Sequence, residues 1–189
     1  LREGVIRNTS DPAATAQLDE LWASRGPLVM GIVNCTPDSF SDGGLFLAAE
    51  AAIAEGERHL DAGAAIVDVG GESTRPGADP VAADEEIRRV VPVIRALRER
   101  RPTAVLSVDT TKVSVAEAAI AGGADLINDV SAGAAPGIFE LVAKHAVGII
   151  LMHRRGTPET MQEDTRYNDV VAEVHSYLLK RTDAAVNAG

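Results

Sequence analysis

The chain has 189 residues, 46% of them hydrophobic and 24% charged, which is enough apolar content for a buried core and too much for a disordered segment. A net charge of −10 without any lysine- or arginine-rich run argues against a nucleic-acid surface, and no apolar stretch reaches the roughly 20 residues of a membrane span. The one cysteine, Cys35, leaves no internal disulfide, and residues 1–26 lack the apolar centre of a signal peptide, so a reduced, cytoplasmic protein is expected.

Residues 1–26 read as an N-terminal extension without an initiating methionine, so the numbering is expected to begin inside a processed or longer chain. From residue 27 onward, short β-branched runs alternate with alanine-rich stretches of helical period. The first is "PLVMGIVN" (27–34), followed by a polar, glycine-rich stretch and a predicted helix over 46–62. Next come "AAIVDVG" (64–70) with a helix over 82–100, and "TAVLSVD" (103–109) with a helix over 112–122. "ADLINDV" (124–130) precedes a helix near 136–145, and "AVGIILMH" (146–153) precedes one near 167–188. Near-continuous apolar strands separated by helices predict a parallel sheet with right-handed crossovers, either an open doubly wound sheet or a (β/α)8 TIM barrel.

The strand ends favour the barrel. Each run finishes in groups a core would reject: Asn34, Asp68, Asp109, Asn128 with Asp129, and His153. An open sheet gathers its ligand groups where strand order reverses, whereas a barrel draws on the ends of many strands at one face. Five such units occupy about 160 residues and a complete barrel needs about 250, so the chain is expected to hold about five βα units of a longer enzyme, incomplete at the C-terminus.

"MGIVNCTPDSFSDGG" and "IVDVGGESTRPGA" resemble the two signature stretches of the dihydropteroate synthase family of pterin-binding TIM barrels. "SVDTTKVSVAEAAIAGGADLINDVSAG" and "LMHRRGTPETMQ" extend the likeness through the third, fourth and fifth runs. Two details depart from the family pattern: Cys35 stands where an aliphatic residue is more usual, and "HRRG" follows the fifth run. The resemblance implies a transferase of folate biosynthesis that condenses 6-hydroxymethyl-7,8-dihydropterin diphosphate with p-aminobenzoate, releasing pyrophosphate. Sulfonamides, which imitate p-aminobenzoate, become expected ligands, and the complete chain is expected to be a homodimer.

Breaking the carbon–oxygen bond to diphosphate leaves positive charge on the pterin methylene and requires a counter-charge for the leaving group. By resemblance, Asn34 binds Mg2+ or the diphosphate, with a strand-end cap as the plain alternative. Thr74 is assigned to the diphosphate, and Arg75 and Pro76 shape the p-aminobenzoate pocket with Ser39 and Phe40; a turn threonine beside a solvated arginine is the structural alternative. Asp109 and Asn128 are assigned to the pterin edge, whose paired donors suit a carboxylate. Against this, Asp109 could cap the helix starting near 112, and Asp129 could cap a loop. Met152 either packs on the heterocycle or belongs to the core, His153 binds diphosphate or holds its loop, and Asp68 and Glu72 act as support.

No zinc-ligand spacing, serine–histidine–acid set or nucleotide-binding glycine motif appears in the sequence. The family's later motifs, which carry a further aspartate, a lysine and an arginine–histidine pair, are not found in residues 1–189, so the chain by itself is expected to be catalytically silent. Related barrels that pass a methyl group from methyltetrahydrofolate use a similar aspartate and asparagine but lack the "TPDSFSDGG" and "STRPG" stretches. A non-catalytic pterin-binding remnant is the third possibility.

Overall fold

The computed structural model describes residues 23, 26–35, 45–73, 79–157, 160–163 and 165–189. The proposed extension therefore lies almost wholly outside the described residues. So do Ser39, Phe40, Thr74, Arg75 and Pro76.

Each apolar run forms a strand: β1 (Met30–Asn34), β2 (Ile66–Gly70), β3 (Val105–Asp109), β4 (Leu126–Asp129) and β5 (Gly148–Leu151). The helices are α1 (Leu45–Asp61), α2 (Ala83–Arg100), α3 (Val113–Ala121), α4 (Ile138–His145) and α5 (Val170–Asn187). The five strands pair in parallel in the sequential order β1-β2-β3-β4-β5. Sequential order without a reversal is the barrel arrangement, since a doubly wound sheet must switch direction.

Alternation along the strands divides the sheet into two faces. Val33, Val67, Val69, Leu106, Val108 and Ile127 pack with Ile53, Val90, Ile94, Leu97 and Val115 on the side covered by helices. The opposite, concave face has a small apolar floor made by Ile66, Val105 and Leu126 with Met30 and Ala65. Moving from that floor toward the carboxyl ends, the side chains turn polar: Asp68 and Ser107, then Asn34, Asp109 and Asn128. The core therefore sits between sheet and helices, and the inward face is left for polar work.

Capping residues set the helix boundaries. The predicted start near 167 moves to Val170 because the Asp169 carboxylate accepts from the Ala172 amide at 3.0 Å, fixing the N-cap. Helix α4 starts at Ile138, two residues later than expected, behind Gly137 in the left-handed region at φ 91°.

Candidate functional site at the carboxyl ends of the strands

Strand register assembles the site. Asn34 lies opposite Gly70, Gly70 opposite Asp109, Asp109 opposite Asn128, and Asn128 opposite Ile150. Three of the sequence-derived site residues thus form a single row across four strands. Glycine at position 70 leaves the middle of that row open: a Cβ built there would lie 3.8 Å from Asp109 Oδ2 and 3.9 Å from Asn34 Oδ1. An amide oxygen and a carboxylate oxygen therefore both border the bare backbone of Gly70.

One layer deeper, Asp68 is 3% exposed and Ser107 is fully buried. Asn128 Nδ2 donates to Asp68 Oδ2 at 2.9 Å. This bond holds the amide in one orientation and leaves its Oδ1 and second N–H for another partner. Burial raises the Asp68 pKa, and the nearby Ser107 hydroxyl and the Asn128 amide lower it part of the way back, though Ser107 makes no hydrogen bond of good geometry. Asp68 Oδ1, Ser107 Oγ and Asp109 Oδ1 are all buried without a hydrogen-bond partner among the described residues. Buried polar atoms are ordinarily satisfied, so Asp109 Oδ1 on this face, with the Asp68 and Ser107 pair under it, marks a place that can meet a donor from elsewhere.

Asp109 carries the largest electrostatic consequence. Desolvation first, then the neighbouring carboxylates Asp68, Glu86, Asp129 and Glu72, push its pKa up from 3.8 to about 7. The capping alternative fails here: α3 begins behind Lys112, which has no side-chain cap, and the Lys112 amide donates to Thr110 Oγ1 at 3.2 Å instead. Asp129, in contrast, does cap its loop. Its Oδ1 accepts from the amide and hydroxyl of Ser131 at 2.7 and 2.6 Å, and its Oδ2 accepts from the Gly133 amide at 2.8 Å.

Asp68 and Glu72, expected to act as support, both bond to neighbouring groups. Glu72 Oε1 accepts from the Val81 amide at 3.1 Å, and Glu72 Oε2 pairs with the Lys112 ammonium. Met152 stands just past β5 and is 40% exposed, so it is not core. His153 packs edge-on against Tyr177 of α5 at 4.9 Å between ring centroids, the contact of a residue that holds its loop. Cys35, next to Asn34, is buried in the helix-side core, its amide bonded to the Gly70 carbonyl at 2.7 Å, and desolvation pushes its thiol up to about 12. It is a packing residue without thiolate character at neutral pH.

Sequence reasoning missed Ser107, Glu86 and Lys112. Ser107 shares the parity of Asp109 in "VLSVD", a signal that was readable. Glu86 is one of three acids in the first turn of α2, and nothing in "ADEE" separates this fully buried one from its neighbours.

A parallel sheet in sequential order, with acids and amides gathered at the carboxyl ends of its strands, defines a TIM-barrel ligand-binding protein. Residues 30–189 match the family described as pterin binding enzymes, and the chain belongs to that family. The dihydropteroate synthase of Synechocystis is 44% identical over 169 residues, which is 89% of this chain and 58% of that protein. A solved dihydropteroate synthase of Xanthomonas albilineans, with 4-aminobenzoic acid, is 51% identical with a TM-score of 0.78, over 87% of this chain and 58% of the other. That of Yersinia pestis, in a sulfonamide drug complex, is 44% identical with a TM-score of 0.79, over 86% and 59%. The chain thus spans about three fifths of the length of the relatives it matches. Its five βα units correspond to that part of a TIM barrel.

Proposed function

We propose that this chain supplies the pterin-binding part of a dihydropteroate synthase, the transferase that joins a dihydropterin methylene to the amine of p-aminobenzoate with loss of pyrophosphate. The observation that carries this reading is the row Asn34, Asp109 and Asn128 across the open backbone of Gly70, underlaid by unsatisfied Asp68 and Ser107. The amino group and ring N–H of a pterin are adjacent donors, and the ionised Asp109 carboxylate accepts both. Asn128, held by Asp68, reads the same heterocycle from the next strand.

The acidic surroundings then serve the chemistry. When the carbon–oxygen bond breaks, positive charge develops on the methylene, and Asp109 with Asp68 stabilises it from a fixed position. The amine of p-aminobenzoate attacks that carbon and loses its proton, while the bond electrons leave with the diphosphate. Thr74 is the residue we assign to the diphosphate, with Arg75 as its local cation, and Arg75, Pro76, Ser39 and Phe40 are assigned to the p-aminobenzoate pocket, all by their motifs. Met152 is assigned to the pterin face.

Among the described residues no group of three or more histidine, cysteine, aspartate or glutamate side chains could hold a metal ion. Mg2+ needs no such cage, since it keeps several waters and takes substrate phosphate oxygens together with one or two protein oxygens. Asn34 Oδ1 fits as that protein oxygen. An ion held there by Asn34 would supply counter-charge for the departing diphosphate. Sulfonamide binding belongs to the same proposal, supported by the drug complex of the Yersinia pestis relative, and homodimer formation and a cytoplasmic location are proposed with it on the family resemblance. Among the described residues no helix is long and apolar enough to cross a membrane.

Calorimetric titration of the chain with 6-hydroxymethylpterin tests the reading. Asp109→Ala and Asn128→Ala are each expected to weaken binding about tenfold or more, the loss of one charge-assisted or buried hydrogen bond. Unchanged affinity in both overturns the pterin assignment.

A further inference from the structure

Past the row, after the carboxyl ends of β2 and β3, lies an ionic cluster that the proposed chemistry does not use. The Lys112 ammonium touches two carboxylates at once, Glu72 Oε2 and, at 2.5 Å, Glu86 Oε2. Glu86 is fully buried on α2, and its Oε1 has no partner among the described residues. A buried carboxylate is tolerated only when a counter-charge meets it. Lys112 provides that counter-charge from the turn after β3, three residues beyond Asp109.

The cluster is also a mechanical junction. Glu72 Oε1 accepts from the Val81 amide, so one carboxylate brings together the two ends of the segment 73–80 that separates β2 from α2. Gly71 is pressed against Glu86, where a Cβ would come within 2.9 Å of Glu86 Cγ, and its carbonyl accepts from buried Arg89 at 2.9 Å. On the other side, Thr110 N donates to the Asn128 carbonyl at 3.1 Å, and Lys112 N donates to Thr110 Oγ1. Hydrogen bonds therefore run from the end of β2, through Lys112, to the turn after Asp109 and from its Thr110 amide to Asn128 on β4.

We propose that Lys112 is a positioning residue for the concave-face site: shared between Glu72 and Glu86, its ammonium fixes the end of β2 and the base of the following segment against the turn after Asp109. The inference rests on the pterin reading for its functional consequence and not for its structural one. Lys112 touches no ligand in this scheme. It keeps Gly70 and Asp109 in register while Glu72 ties the entry of α2.

The test uses Lys112→Met, Lys112→Arg and the double variant Lys112→Met/Glu86→Gln, which removes both members of the buried pair. Two quantities are measured: affinity for 6-hydroxymethylpterin by titration, and amide hydrogen exchange of Val81, which needs no ligand. The Leu106 amide, bonded to Asp125 Oδ2 at 2.8 Å toward the opposite end of the sheet, is the internal control. In Lys112→Met, Val81 exchange is expected to rise about tenfold with Leu106 unchanged, and pterin affinity to fall about tenfold. The double variant should recover the melting temperature without recovering Val81 protection or affinity, and Lys112→Arg should recover part of both. A double variant that binds pterin and protects Val81 like the unaltered chain overturns the proposal, because Lys112 would then only neutralise Glu86. If the unaltered chain binds no pterin, the functional reading fails, and Val81 exchange still decides the role of Lys112.

Discussion

Folding sets Asp109 against its own ionisation. Its pKa, raised from 3.8 to about 7 by burial and then by surrounding carboxylates, means that the fold prefers the protonated acid. For a carboxylate raised in this way, the stabilising contribution is complete below the unfolded value near 3.8 and is lost as pH rises through about 7. At pH 8 the ionised group costs about 2 to 4 kcal/mol. Asp109→Asn keeps the shape and cannot ionise, so it is expected to raise the melting temperature at pH 8 by roughly 5 to 10 °C. The gain should shrink as pH is lowered toward 4, while pterin binding at pH 8 is expected to weaken about tenfold. A lower melting temperature at pH 8 would show that the carboxylate is stabilised where it stands. Gly70→Ala tests the same row from the other side. The new methyl makes only ordinary contacts of 3.6 to 3.9 Å with Asp109 and Asn34, so melting should shift little while pterin affinity falls severalfold from the filled gap. Unchanged affinity would place the ligand elsewhere. These row residues were legible in the sequence because each is a polar group interrupting an apolar run at a strand end. Glu86 and Lys112 were not, because a charge on a helix or turn looks solvated until the fold buries it.

At the level of elements, the two ends of the sheet divide the labour between stability and binding. The end opposite the site is closed by Arg98 of α2. Its guanidinium donates to the carbonyls of Gly123, Pro102 and Ala104 and to Asp125 Oδ2, and that same carboxylate oxygen accepts from the Leu106 amide. One planar fork thereby ties the α2–β3 and α3–β4 connections to each other. Arg98→Met removes these donors, leaves partly buried carbonyls and Asp125 without them, and is expected to cost about 2 to 4 kcal/mol of stability. Pterin affinity measured well below the melting temperature should not change, because Asp125 and Asp109 stand at opposite ends of the sheet. A selective loss of affinity would mean that the two ends are coupled. Element order and type followed from hydrophobic periodicity alone, since five β-branched runs between five alanine-rich stretches admit few alternatives. The boundaries did not, because Asp169 and Gly137 set them through local cap geometry rather than through pattern.

For the molecule as a whole, the sheet determines what these 189 residues can do by themselves. Sequential parallel pairing leaves one side of β1 and one side of β5 without a strand partner among the described residues, and Ile32 on the concave face is 59% exposed. A barrel interior is a packed place, so an inward isoleucine in this state lacks the neighbours a closed barrel supplies. The proposed pterin recognition draws on the row on β1 to β4 and on Met152 after β5, all of which are present. Condensation needs more: groups for the diphosphate and for p-aminobenzoate must be held about the same carbon at near-reactive distance, and a small loss of placement reduces rate far more than affinity. The 189-residue polypeptide is therefore expected to bind 6-hydroxymethylpterin yet release no pyrophosphate from the pterin diphosphate when p-aminobenzoate and Mg2+ are saturating. A phosphatase-coupled assay reads this directly, with heat-treated protein as the blank. Turnover above that blank, abolished by Asp109→Ala, would show that five βα units suffice for catalysis and that the barrel's closure serves stability alone. Binding without turnover would instead divide the reaction between recognition, which these strands carry, and alignment, which demands the enclosed barrel.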